Sequence, residues 1–131
     1  MKRVIKFRGK RPNSGNWVYG SLLVWPDGDT YITELESREF CLTMQNRDVD
    51  PATVGQFTGL YDADGCEIYE GDIVKNESAG FFGVIKFKDS AFIIDKIKGP
   101  LFACLQTGSL EVVGNIHDNP ELLKGGCNGS H

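Results

Sequence analysis

Six cations open this chain. Lys2, Arg3, Lys6, Arg8, Lys10 and Arg11 fall within the first eleven positions, six of the 14 basic residues in 131. All 18 acidic residues lie from Asp27 onward, so a net charge of -4 conceals a basic start and an acidic remainder. On an extended segment Lys6 and Arg8 project from one face, with Lys10 in line and Lys2, Arg3 and Arg11 nearby. Such a row could track phosphates, meet the acidic remainder of its own chain or of a neighbouring subunit, or remain a solvated face that discourages edge pairing. These six residues form the candidate macromolecule-binding site.

Other chemistries find less support. Asp62, Asp64 and Gly65 suggest positions three, five and six of a calcium loop. Leu60 and Gly71 would then occupy positions one and twelve, where carboxylates are required, so a turn is expected. Cys41, Cys66, Cys104 and Cys127 form no Cys-x-x-Cys pair, and only His117 and His131 could complete a metal set, so reduced thiols are expected and no metal or cofactor. A cysteine paired with His117 lacks any local signature of a nucleophile. Glu34 with Glu36, and Glu70 with Asp72, read as solvated strand faces rather than an acid–base pair. Gly71 and Gly80 do not make a phosphate loop. No enzyme and no small-molecule substrate are expected.

The elements that must position these residues are short strands. Val4 to Arg8 alternates, placing Ile5 and Phe7 on a buried face and Lys6 and Arg8 opposite. Trp17 to Trp25 forms the second strand, and Pro26-Asp27-Gly28 turns it into a hairpin with Thr30 to Thr33. Trp17, Tyr19 and Trp25 share a face by period two, where they are expected in the core and could otherwise be a stacking platform. Residues 34 to 53 are less legible: a short strand at Phe40 to Thr43, and either a loop or a single helical turn beginning at Pro51. Gln56 to Tyr61, Glu67 to Tyr69, Ile73 to Lys75, Phe82 to Phe87, Ala91 to Asp95 and Leu110 to Ile116 complete the strands, with Leu101 to Leu105 extended. Asp89-Ser90 is a hairpin tip. Asn119 caps a terminal helical turn with Pro120 at its first position, and Gly125 to His131 is a loose tail. Gly 16 suits a chain of many tight turns.

Val54-Gly55-Gln56-Phe57-Thr58-Gly59-Leu60-Tyr61-Asp62, continuing through Gly65 to Glu67-Ile68-Tyr69-Glu70-Gly71-Asp72-Ile73-Val74, resembles the signature of the YopX family of phage and prophage proteins. Ile5-Lys6-Phe7-Arg8-Gly9-Lys10, Val113-Gly114-Asn115-Ile116 and Asn119-Pro120-Glu121-Leu122-Leu123 extend the resemblance over nearly the whole chain. It implies an all-β fold and a phage or mobile-element origin, with no catalytic or ligand residues to carry over. Gly71-Asp72-Ile73-Val74 is similar to the opening of SH3-like barrels.

The expectation is therefore an all-β protein of short antiparallel strands: a hairpin-rich amino-terminal part and a small SH3-like barrel in the carboxy-terminal half. Residues 1–124 form one domain with a soft division near 44–53, and 125–131 a tail. No secretory h-region or membrane span is present, so a bacterial cytoplasmic location is expected. The function expected is that of a non-enzymatic phage or prophage accessory protein binding a macromolecular partner. A homo-oligomer is expected. The alternatives are a self-assembling structural protein, a nucleic-acid binder acting through the basic strand, or an enzyme whose site is built from dispersed side chains.

Overall fold

A computed structural model of the chain describes residues 4–38, 41–76, 80–96 and 110–122. The expected extended Leu101 to Leu105, the tail 125–131, and Lys2 and Arg3 lie outside these described residues. Among the described residues ten strands are formed: β1 (Phe7–Lys10), β2 (Trp17–Val24), β3 (Thr30–Arg38), β4 (Cys41–Asp48), β5 (Gly55–Tyr61), β6 (Glu67–Tyr69), β7 (Asp72–Asn76), β8 (Phe81–Lys88), β9 (Ala91–Lys96) and β10 (Leu110–Asn115). They make two antiparallel sheets, ordered β4-β3-β2-β1-β5-β6 and β10-β7-β8-β9. The all-β expectation holds, and among the described residues neither sheet closes into the expected SH3-like barrel.

The chain divides into two compact units, residues 1–57 and 58–131. In the first unit β2 changes partner midway. Trp17 to Gly20 pair with β1, whereas Ser21 to Val24 pair with β3. The exchange occurs at Gly20, where a Cβ would stand 2.1 Å from the Thr33 carbonyl oxygen, so only glycine permits the close crossing. Val18, Ile32 and Val49 form the core, with Phe7, Leu22 and Val54 packed against it. Gly9 is needed beneath Val49, whose Cβ would lie 2.9 Å from an added one. Asp50 caps the 3-10 turn Pro51–Thr53 by accepting the Ala52 amide at 3.0 Å, and Thr53 Oγ1 accepts the Lys10 amide at 2.8 Å. That turn fixes the end of β1.

The first strand starts later than its alternation predicts. Val4 and Ile5 precede β1, and Ile5 is 61% exposed rather than buried beside Phe7. Lys6 contributes its carbonyl to the Phe57 amide at 2.8 Å, so the chain here is held from the β5 side. The poorly legible middle is a hairpin of two long strands, β3 and β4, in continuous register from Tyr31 opposite Asp48 to Arg38 opposite Cys41. Of the loop or helical turn that the sequence leaves open at Pro51, the helical turn is formed.

The second unit is built on Ile68, Val74, Ile85, Ile94 and Leu110, with Phe92 and Val112 packed against them. Burying each of these aliphatic side chains stabilises the fold by about 2 kcal/mol before conformational entropy is charged against it. Asp89 and Ser90 take φ of 53° and 68°, the geometry of a two-residue hairpin tip between β8 and β9. The turn after β10 is closed by Asn119, whose Oδ1 accepts the Asn115 amide and whose carbonyl accepts the Leu122 amide.

Candidate functional site

The register of β1 decides what its cations face. Arg8 lies opposite Tyr19 on one side and Gly55 on the other, and Lys10 lies opposite Trp17. Lys6, Arg8 and Lys10 thus share a face, as their spacing predicts, but that face carries rings. The Arg8 guanidinium carbon sits 4.5 Å from the Trp17 ring centroid, Lys10 Nζ sits 5.7 Å from the same ring, and Lys6 Nζ sits 5.4 Å from that of Phe57. These distances are those of cation–π contacts. Arg8 is only 6% exposed, so its charge is not presented as a solvated row of cations would present it. Arg11 is held by Asp48, Nη2 to Oδ1 at 2.7 Å. Lys6 and Lys10 are half-buried.

The aromatic residues expected in the core are distributed differently. Val18, Gly20 and Leu22 alternate toward the core, which turns Trp17, Tyr19, Ser21 and Leu23 to the opposite face. Trp17 is half-buried under its two cations, Tyr19 is 44% exposed, and Trp25, beyond the end of β2, is 51% exposed. Leu23 stands opposite Tyr31, extending the same face onto β3, and Val24 is also exposed. Alternation along β2 carries this signal in the sequence. It is concealed because aromatic residues are ordinarily assigned to the interior.

A cleft of about 280 Å³ lies at one end of the first unit, where Gly28, Asp29, Thr30, Tyr31, Asp48 and Pro51 are among its walls. Asp48 is tied to Arg11 there, and the Asp29 amide donates to Asp27 Oδ1 at 2.9 Å in the β2–β3 turn.

In the second unit the loop that suggested calcium is a turn. Asp62 Oδ1 accepts the amides of Asp64 and Cys66 at 2.9 and 2.8 Å, and Oδ2 accepts that of Val112 at 3.0 Å. Burial pushes the Asp62 carboxyl up, but the backbone amides of Val112, Cys66, Asp64 and Gly65 outweigh it and hold the group below its usual 3.8. The negative charges of Asp62 and Asp64, together with some desolvation, raise the exposed Cys66 thiol above its usual 9.0. A thiol kept protonated in this way is a poor nucleophile at neutral pH. Of the paired carboxylates, Glu34 holds Arg47 at 2.9 Å and Asp72 Oδ2 accepts the Tyr69 amide at 2.8 Å. The His117 amide donates to Asn115 Oδ1. Among the described residues no group of three or more His, Cys, Asp or Glu is arranged to hold a metal ion, and no helix is long and apolar enough to cross a membrane.

The class defined by this architecture is an all-β protein of two open antiparallel sheets with a cation-and-ring face on its amino-terminal unit. The family model described as YopX protein matches residues 6–124, and the chain belongs to that family. Among solved structures, protein EF1440 from Enterococcus faecalis is similar, with a TM-score of 0.62 and 23% identity over 93% of this chain and 99% of that one. That likeness is one of fold. No curated protein matches the sequence.

Proposed function

We propose that this protein is a non-enzymatic phage or prophage accessory module, working in the bacterial cytoplasm, whose amino-terminal sheet face binds a protein partner. The observation that carries this reading is the exposure of Tyr19, Leu23 and Trp25 together on and beyond one face of β2. Protein interfaces are enriched in Tyr, Trp, Met and Arg and depleted in Lys and acidic residues at their centres. Tyr19 lies beside the Arg8–Trp17 stack, which offers a rigid aromatic surface that loses little entropy on docking. The phage assignment rests on the family motifs.

A second reading keeps nucleic acid as the partner. Lys6 and Lys10 are half-exposed at either end of the segment on which Arg8 lies opposite Tyr19, and a base could stack on that ring while the lysines neutralise phosphates. Against it, Arg8 is buried on Trp17 and Arg11 is tied to Asp48, which leaves a thin cationic track among the described residues. Fluorescence anisotropy with short mixed-sequence DNA and RNA separates the two. The protein-binding reading expects no saturable binding at moderate salt. A steep, salt-dependent isotherm weakened by Lys6→Glu with Lys10→Glu would favour nucleic acid.

A further inference from the structure

Among the described residues β4 ends its sheet, and no described segment guards its outer edge. The Val49 amide donates to the Thr30 carbonyl at 3.1 Å, which fixes the alternation of the strand before it. Arg47, Gln45 and Thr43 turn their backbone groups toward β3. Leu42, Met44, Asn46 and Asp48 therefore turn theirs away, and among the described residues no strand pairs with that side.

Edge strands are ordinarily blunted by brevity, charge, proline or a bulge. β4 is eight residues long and its register on β3 is unbroken. Residues 41–46, Cys-Leu-Thr-Met-Gln-Asn, contain no charge, proline or glycine. The two charges that follow are engaged within the same unit, Arg47 by Glu34 at 2.9 Å and Asp48 by Arg11 at 2.7 Å. Met44 is 69% exposed.

We infer that the outer edge of β4 pairs with β4 of a second copy of this chain, antiparallel and about a two-fold axis, with Met44 opposite its own symmetry mate. The occupant follows from self-complementarity. In this register Leu42 meets Asn46 and Arg47 meets Cys41, so no like charges are opposed at these positions, and each outward amide of Met44 and Asn46 gains a carbonyl. The inference is independent of the aromatic face, which uses β2 rather than β4.

The test joins solution mass with residue-resolved amide exchange on the full chain. Sedimentation equilibrium over rising concentration is expected to show the mass doubling. The amides of Met44 and Asn46 should slow at high concentration and exchange freely on dilution. Met44→Pro removes an outward N–H while sparing the bonds to β3, and Met44→Lys sets two like charges opposite each other; both should leave a monomer. If the proline variant does not fold, the lysine variant decides alone. A monomer at every concentration overturns the pairing. So does an oligomer that persists in Met44→Lys or leaves the Met44 and Asn46 amides unprotected.

Discussion

The guanidinium of Arg8 is stacked on Trp17, its diagonal neighbour across the β1–β2 ladder, with 4.5 Å between the guanidinium carbon and the ring centroid. The contact is made by a buried arginine, so its charge is removed from much of the water that would otherwise weaken it. A double-mutant cycle of Arg8→Ala and Trp17→Ala, followed by urea denaturation, should give a coupling of about 1 to 2 kcal/mol. A coupling indistinguishable from zero would mean that the two side chains are only adjacent.

Gly20 is the position at which β2 passes from β1 to β3. Because the Cβ of an alanine would stand 2.1 Å from the Thr33 oxygen, Gly20→Ala must displace backbone and should destabilise by about 3 kcal/mol or more. The check is the urea midpoint; a change below about 0.5 kcal/mol would show that the crossing can open without cost.

Asp62 joins the β5–β6 turn to β10 through the Val112 amide. Its carboxyl is held below the usual 3.8 in the folded protein, so the unfolded chain takes up a proton first as pH falls. The stabilisation is complete above that ordinary value and disappears as pH drops through the lower folded value. Asp62→Ala should cost about 2 to 3 kcal/mol at neutral pH, since three amides lose their acceptor. It should also flatten the acid limb of the stability profile. An unchanged acid limb would contradict the staple.

Cys66 should react slowly with iodoacetamide at neutral pH and faster only as pH rises past the ordinary thiol value. Asp64→Asn removes the lesser of the two charges that hold the thiol protonated and leaves Asp62 in place, so alkylation should accelerate modestly. Equal rates in the two proteins would show that the carboxylate does not act on the thiol.

Much of this fold was legible because its turns are chemically explicit. Pro26-Asp27-Gly28, Asp62 to Gly65 and Asp89-Ser90 each lie between apolar alternations, and each is a turn between strands. Of the β3–β4 hairpin only the starts of the two strands were legible, at Thr30 to Thr33 and Phe40 to Thr43; Glu34 to Ser37 and Met44 to Asp48 contain one apolar residue each, Leu35 and Met44, too few to show the apolar period that announces a strand. The shared face of Lys6, Arg8 and Lys10 followed from period two. What faces them did not, because it depends on a register between distant strands. Ile5 is exposed for a related reason: alternation identifies a potential strand, but only a pairing partner decides where it begins.

The most direct test of a protein-binding aromatic face is quantitative affinity capture from cell extract, comparing the unaltered chain with Tyr19→Ser combined with Leu23→Ser. Both positions are exposed, so the double variant should fold, which circular dichroism verifies. The face predicts at least one protein strongly enriched by the unaltered chain and lost from the variant. Enrichment that is equal in both, or absent from both, would contradict it.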